Sequence, residues 1–275
     1  FNHDGNPDLV ALVITGVSVL LGNANGTFQE SISYALPVST NFAGLAVLDL
    51  NSDGALDLVL PYYANSVVGV SLGATPNSAT FGTVANFNTG WFGAWNAWPG
   101  DFNGDGREDV VVTNRISNRV GVMLSNGDGT LTAQPAVITG VQPQDVVAAD
   151  INGDGRLDAI AGNWGTTTVS VLLGNGAGGL GAATNFAVGT NPNSVRVADM
   201  NNDGRLDILV ANAGSGTVSI LLNTPPVTTF TQPPFAQRVC PGGSSSASFT
   251  AAATTTQPGG ITGYTWQRLV GGVWT

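Results

Sequence analysis

The residues with the most evident chemistry in this chain are aspartates at fixed spacing. Asp49-Leu-Asn-Ser-Asp-Gly-Ala-Leu-Asp57 returns as Asp101-Phe-Asn-Gly-Asp-Gly-Arg-Glu-Asp109, as Asp150-Ile-Asn-Gly-Asp-Gly-Arg-Leu-Asp158 and as Asp199-Met-Asn-Asn-Asp-Gly-Arg-Leu-Asp207. A shortened copy, Phe1-Asn-His-Asp-Gly-Asn-Pro-Asp8, lacks the leading Asp. The leading aspartates are 52, 49 and 49 residues apart, and fifteen of the 18 acids, fourteen of them Asp, sit in these segments. The chain has no lysine to neutralise them. Packing three carboxylates and an Asn into nine residues costs repulsion unless a cation compensates. Calcium takes about 6–8 oxygen ligands, and positions 1, 3 and 5 turn alternate side chains to the inside of a loop. Gly at position 6 permits the sharp turn. Position 7 offers its main-chain carbonyl, and position 9 closes the shell.

The candidate metal ligands are therefore Asp49, Asn51, Asp53, Ala55 and Asp57 in one loop, and Asp101, Asn103, Asp105, Arg107 and Asp109 in the next. Asp150, Asn152, Asp154, Arg156 and Asp158 form a third, and Asp199, Asn201, Asp203, Arg205 and Asp207 a fourth. Asn2, Asp4 and Asp8 make an incomplete fifth. A helical calcium hand would place Glu at position 12. Here that position holds Leu60, Val112, Ala161 or Val210, all apolar and in β-rich sequence. A plain Asp/Asn-Gly hairpin turn accounts for one or two aspartates, not three at fixed positions in successive units. A catalytic carboxylate pair would not be repeated identically in every unit.

The elements that must position these loops are short strands. Runs such as Leu45–Leu48, Asp109–Thr113, Val169–Leu173 and Val218–Leu222 are bounded by Gly, Asn and Pro, and no stretch keeps a helical period. After its last Asp the repeat runs 16 residues to a second turn, as from Asp57 to Gly73, Asp158 to Gly174 and Asp207 to Asn223; the first unit, Asp8 to Gly22, is two residues shorter. Four strands, a to d, with the Asp loop between a and b, fill one period. Such a period suits a blade of a β-propeller. The fold class is therefore all-β: residues 1–223 hold about four and a half four-stranded blades, with further blades expected upstream of Phe1.

Residues 1–223 resemble the FG-GAP/VCBS repeats, the calcium-loop blades also found in the integrin α-subunit head. The resemblance rests on Asp-x-Asn-x-Asp-Gly-x-x-Asp followed by β-rich sequence and a turn such as Gly174-Asn-Gly-Ala-Gly178. It implies a propeller, often seven-bladed, with calcium loops on the lower rim. It also implies extracellular adhesion or ligand recognition by a protein or glycan partner, in a secreted or surface-anchored protein.

If a–b and c–d turns share the lower face, the b–c and d–a loops form the upper one. That face carries Tyr62, Tyr63, Arg115, Arg119, Trp164 and the segment Asn88-Thr-Gly-Trp-Phe-Gly-Ala-Trp-Asn-Ala-Trp-Pro99. Trp91, Phe92, Trp95 and Trp98 break the repeat pattern. Two readings stand: a ligand patch, since aromatics with Arg and Asn suit sugars or a protein, or wedges between blades that plug the channel. The candidate ligand contacts are Tyr62, Tyr63, Trp91, Trp95, Arg115 and Trp164.

Composition removes other classes. A net charge of −10, with eight arginines against 18 acids, does not suit a nucleic-acid binder, whose footprint is a basic stripe. One His and one Cys exclude a zinc cluster. One His and no Lys leave a nucleophilic Ser without a base, so no catalysis is expected; His3 reads as a surface residue. Leu9–Leu21 is too short and too interrupted to span a membrane. It follows acids rather than a basic segment, so it does not read as a signal peptide.

After Asn223, Thr224–Pro234 reads as a stiff Pro/Thr-rich linker. Residues 235–275 resemble the start of an immunoglobulin-like module of bacterial surface proteins, with an Ala247–Ala251 strand and Trp266 in its core. Cys240 stands either paired beyond Thr275 or free. A second functional reading is a lectin-like accessory module of a polysaccharide-degrading enzyme.

Overall fold

Val110-Val-Val112 has no polar alternation, which is the pattern of a strand covered on both faces. The computed structural model shows why. It describes residues 1–36, 42–76, 79–224, 228–232, 252–255, 269–270 and 273–274. Val110 and Val112 pack toward the preceding sheet, against Val59, Val68 and Val70. Val111 turns the other way, among Val146, Ala159 and Ala161 of the following sheet. The period of two thus feeds two cores from one strand.

The unit Phe1–Asn223 is a series of antiparallel meanders. The first has β1 (Leu9–Val13), β2 (Gly16–Leu20) and β3 (Ile32–Ala35). The second has β4 (Ala46–Leu48), β5 (Asp57–Tyr62), β6 (Val67–Ser71) and β7 (Ala85–Asn88). The third has β8 (Ala94–Gly100), β9 (Asp109–Asn114) and β10 (Arg119–Ser125), its outer edge split into β11 (Leu131–Ala133) and β12 (Val137–Ile138). The fourth has β13 (Pro143–Ala149), β14 (Asp158–Asn163), β15 (Thr168–Leu172) and β16 (Thr184–Ala187). The fifth has β17 (Pro192–Ala198), β18 (Asp207–Asn212) and β19 (Thr217–Leu221). The inner strands are neighbours: β8 lies against β4 and β13, and β13 against β17. Strands β5, β9 and β14 are buried along their whole length.

Each of the four complete Asp segments links an inner strand to the next, as expected, and the shortened one leads into β1. The same edge carries a row of hydrogen bonds between blades. Ser125 Oγ donates to the Leu50 carbonyl at 2.8 Å, Gly178 N to the Phe102 carbonyl at 3.0 Å, and Asn223 Nδ2 to the Ile151 carbonyl at 2.7 Å. In each case the acceptor is position 2 of an Asp loop and the donor is the c–d turn of the next blade. Gly178 has φ of +81°, and a Cβ there would lie 2.7 Å from Leu124 of the preceding blade. Gly178→Ala combines left-handed strain with overpacking, and is expected to cost about 2–4 kcal/mol. Urea unfolding of the variant beside the parent measures it; an unchanged midpoint would show that this seam yields freely.

Two expectations need correction. The Trp-rich segment is not all loop, because Ala94–Gly100 forms β8 and carries Trp95 and Trp98 on an inner strand. Within Thr224–Pro234, Thr228–Gln232 is not linker but a strand, β20, paired with β21 (Ala252–Thr255). The unit Thr224–Thr275 also contains β22 (Leu269–Val270) paired with β23 (Val273–Trp274). Cys240, Trp266 and the Ala247–Ala251 strand lie outside the described residues. Among the described residues, no helix is long and apolar enough to cross a membrane.

Candidate functional site

The ninth aspartate of each loop is fully buried at Asp57, Asp109, Asp158 and Asp207. Both of its oxygens take backbone amides. Asp57 accepts from Leu50 N at 2.8 Å and Gly73 N at 2.7 Å. Asp109 accepts from Phe102 and Ser125, Asp158 from Ile151 and Gly174, and Asp207 from Met200 and Asn223. Asp8 does the same with the Phe1 ammonium and Gly22 N. This residue is a clamp: it ties the start of the Asp loop to the c–d turn sixteen residues on, or fourteen in the first blade. Burial raises the carboxyl pKa of Asp57, Asp109 and Asp158, and the loop's other aspartates raise it further, against the lowering effect of the amides.

Positions 1, 3 and 5 form a tight polar turn at the surface. Asp49 accepts from Asp53 N and Gly54 N, Asn51 Oδ1 from Asp53 N, and Asp53 Oδ1 from Ala55 N at 2.7 Å. Asn51 Nδ2 donates to Asp53 Oδ2 at 2.9 Å. The loops at Asp101, Asp150 and Asp199 repeat this pattern, and Arg107 adds an ion pair to Asp105 at 2.9 Å. Gly54 needs its φ of +86° for this turn. Among the described residues, no three Asp, Glu, His or Cys side chains converge as a formed metal cage. Asn2 and Asp4 keep part of the turn, and His3 is exposed with φ of 53°.

The opposite edge gathers the aromatics. Tyr63 follows β5, Trp95 lies on β8 and Arg115 follows β9. The Tyr63 and Trp95 rings meet edge to face with centroids 5.0 Å apart, and the Arg115 guanidinium sits 4.3 Å from the Trp95 centroid. With Phe42 and Ala43 they line a cleft of about 450 Å3 between the second and third blades. Edge-to-face rings and stacked guanidinium are both favourable arrangements.

The other sequence candidates separate from this cleft. Trp91 carries the Arg119 guanidinium at 4.3 Å instead. Tyr62 is not a surface contact: it is 5% exposed and packs on Phe42 with centroids 4.6 Å apart. Trp164 is half-buried on a later turn. Trp98 packs into the cores on either side of the fourth blade and is a wedge.

Sequence reasoning missed Phe42, Ala43 and a buried hub at Asp145. Asp145 Oδ1 accepts from Asn96 Nδ2 at 2.7 Å, and Oδ2 from Ser194 Oγ at 2.9 Å and Arg196 Nη1 at 2.8 Å. Asn96, Asp145 and Ser194 are 49 residues apart, so the repeat period held the signal.

With the repeats and their loops in place, comparison with known proteins becomes specific. The FG-GAP-like repeat matches residues 1–60, 101–161 and 150–210. The chain belongs to this family. No curated protein matches it in sequence. Among solved structures it is similar to a lectin of Agrocybe aegerita described as specifically recognising non-reducing terminal N-acetylglucosamine, at 20% identity and TM-score 0.52, over 81% of this chain and 64% of that one. It is also similar to the periplasmic gluconolactonase of Pseudomonas aeruginosa, at 20% identity and TM-score 0.53, over 85% and 65%. A third is an auxiliary nutrient binding protein of Bacteroides ovatus, at 14% identity and TM-score 0.52, over 80% and 53%. The chain spans less than two thirds of the length of each. At such identities the likeness is one of fold. This FG-GAP-like chain is a repeat β-propeller with four to five blades present.

Proposed function

We propose that this propeller is a non-catalytic, extracellular ligand-recognition module. Calcium would hold the Asp loops of one rim, and the opposite face would bind the ligand. The observation that carries the reading is the Tyr63–Trp95–Arg115 constellation, set in a concave cleft on the rim away from the Asp loops. A cleft of about 450 Å3 is in the small-ligand range, whereas a protein partner needs a broad patch of about 800 Å2. That favours a lectin-like role over protein adhesion, in keeping with the sugar and nutrient ligands described for the structural neighbours.

The donor chemistry of the loops suits a hard divalent ion, since every candidate ligand is oxygen. Asp49, Asn51, Asp53, Asp57 and the Ala55 carbonyl would hold the ion in the second blade, as would the corresponding residues of the next three. The ion would neutralise the clustered carboxylates. It would compete for Asp53 Oδ2, which here takes the Asn51 amide. Loops of modest affinity match millimolar external calcium. The single His lies exposed in the first loop, away from the cleft, which supports a binding role rather than catalysis.

Trp95→Ala is expected to weaken glycan-array binding at least about tenfold, as for a buried aromatic anchor. Trp164→Ala, outside the cleft, is expected to bind as the parent does. Parent-like binding by Trp95→Ala, with the fold intact by circular dichroism, would remove the cleft from the function.

A further inference from the structure

We propose that the Tyr63–Trp95–Arg115 cleft selects glycans that carry a carboxylate, as uronic acids do; this rests on the ligand-recognition reading above. The first observation is Arg115 itself. Side-chain ion pairs among the described residues join Arg107 to Asp105 and Arg196 to Asp145, and none engages Arg115. Its Nε is buried without a hydrogen-bond partner. A buried donor without an acceptor is costly to a fold. Here it lies in the wall of a cleft, on a guanidinium whose plane is held by Trp95. A planar guanidinium matches a carboxylate through two parallel hydrogen bonds.

The second observation is how charge is distributed. The Asp loops put nearly all of the propeller's acids on one rim. On the cleft's rim stand Arg115 and Arg119, and Asp145, on β13, is already paired to Arg196 of β17. An acidic chain thus presents an anion-attracting face.

The third comes from the repeat. Tyr63, Arg115, Trp164 and Ala213 occupy the same position in successive blades, directly after the second strand; Ala43, Trp95, Gln144 and Asn193 share another, six residues before the leading Asp. The scaffold repeats and these positions do not. The seam between the second and third blades combines two aromatic rings, a small residue that leaves room, and a cation. A sugar ring laid on Tyr63 or Trp95 can bring its carboxylate to Arg115.

The test is calorimetric titration of the full chain, in saturating calcium, with glucuronate-containing oligosaccharides and with the same oligosaccharides after reduction of the carboxyl to a hydroxymethyl group. The acidic form is expected to bind at least tenfold more tightly. Arg115→Gln is expected to bring it to the level of the reduced form, and Arg115→Lys, which keeps the charge but not the planar fork, to fall between. Equal binding of both forms by the parent, or an acid preference that survives in Arg115→Gln, overturns this proposal and leaves ligand recognition standing. Trp95-dependent binding to an acidic peptide with neither sugar bound overturns it in favour of a protein partner. No binding of either sugar or of any array glycan overturns it together with the reading on which it rests.

Discussion

Chelation is expected to lower the melting temperature of the propeller by about 10–20 °C relative to the protein in millimolar calcium. The size follows from linkage. An ion at about ten times its Kd stabilises the folded state by about 1.4 kcal/mol per site, and extracellular calcium loops fall in that regime. Four complete loops then give about 5–6 kcal/mol, and a domain of this length shifts by about 2–4 °C per kcal/mol. The loops are also joined to the following blades through the carbonyls of Leu50, Phe102 and Ile151. Loosening them therefore reaches the blade interfaces, and one cooperative transition should move rather than a minor one appear. Differential scanning calorimetry with calcium and with chelator decides it. Coincident transitions, with no heat on titrating calcium into the stripped protein, would leave the aspartates as turn formers only.

Asp158→Ala is expected to cost about 4 kcal/mol in chelator and more in calcium, while Asp154→Ala loses stability in calcium alone. Asp158 is buried and accepts Ile151 N at 3.1 Å and Gly174 N at 2.8 Å. Removing it strands two buried amides, at about 1–3 kcal/mol each. Truncation also leaves a void beside them. Part of this loss is offset, because a carboxylate whose ionisation is opposed by burial and by Asp154 and Asp150 is removed with it. Asp154, by contrast, lies in the exposed turn, where water replaces its lost amide contacts. Urea titrations of both variants, with and without chelator, separate the clamp that Asp158 keeps in chelator from the ligation that both residues share. Asp158→Ala unfolding with the parent in chelator would show that the clamp contributes nothing of its own.

Much of this was legible in the sequence because it is local. The turn at Asp101–Asp109 is built from neighbours two to five residues apart, such as Asp105 N to Asn103 and Gly106 N to Asp101. The run Val110–Val112 needs only two covered faces to make sense. The sixteen-residue step from Asp57 to Gly73 was visible as a spacing, but its meaning was not. It is the distance along the chain between a carboxylate and the amide that it holds, and that contact exists only once β5 and β6 have paired. Trp95 and Trp98 were read as one aromatic segment. In the structure Trp95 opens toward Tyr63 and Arg115, while Trp98 enters the blade cores.

By itself, the order of residues settled the repeat, the turn chemistry and the all-β class, since period, glycine placement and β-branched runs act over a few bonds. Which aspartate became a clamp, which tryptophan met the arginine and which tyrosine vanished into the interior was decided only once the strands had paired and packed. The clamp joins Asp57 to an amide sixteen positions on, and the Trp95–Arg115 and Phe42–Tyr62 contacts join side chains carried by different strands or turns, at distances that strand pairing and close packing set.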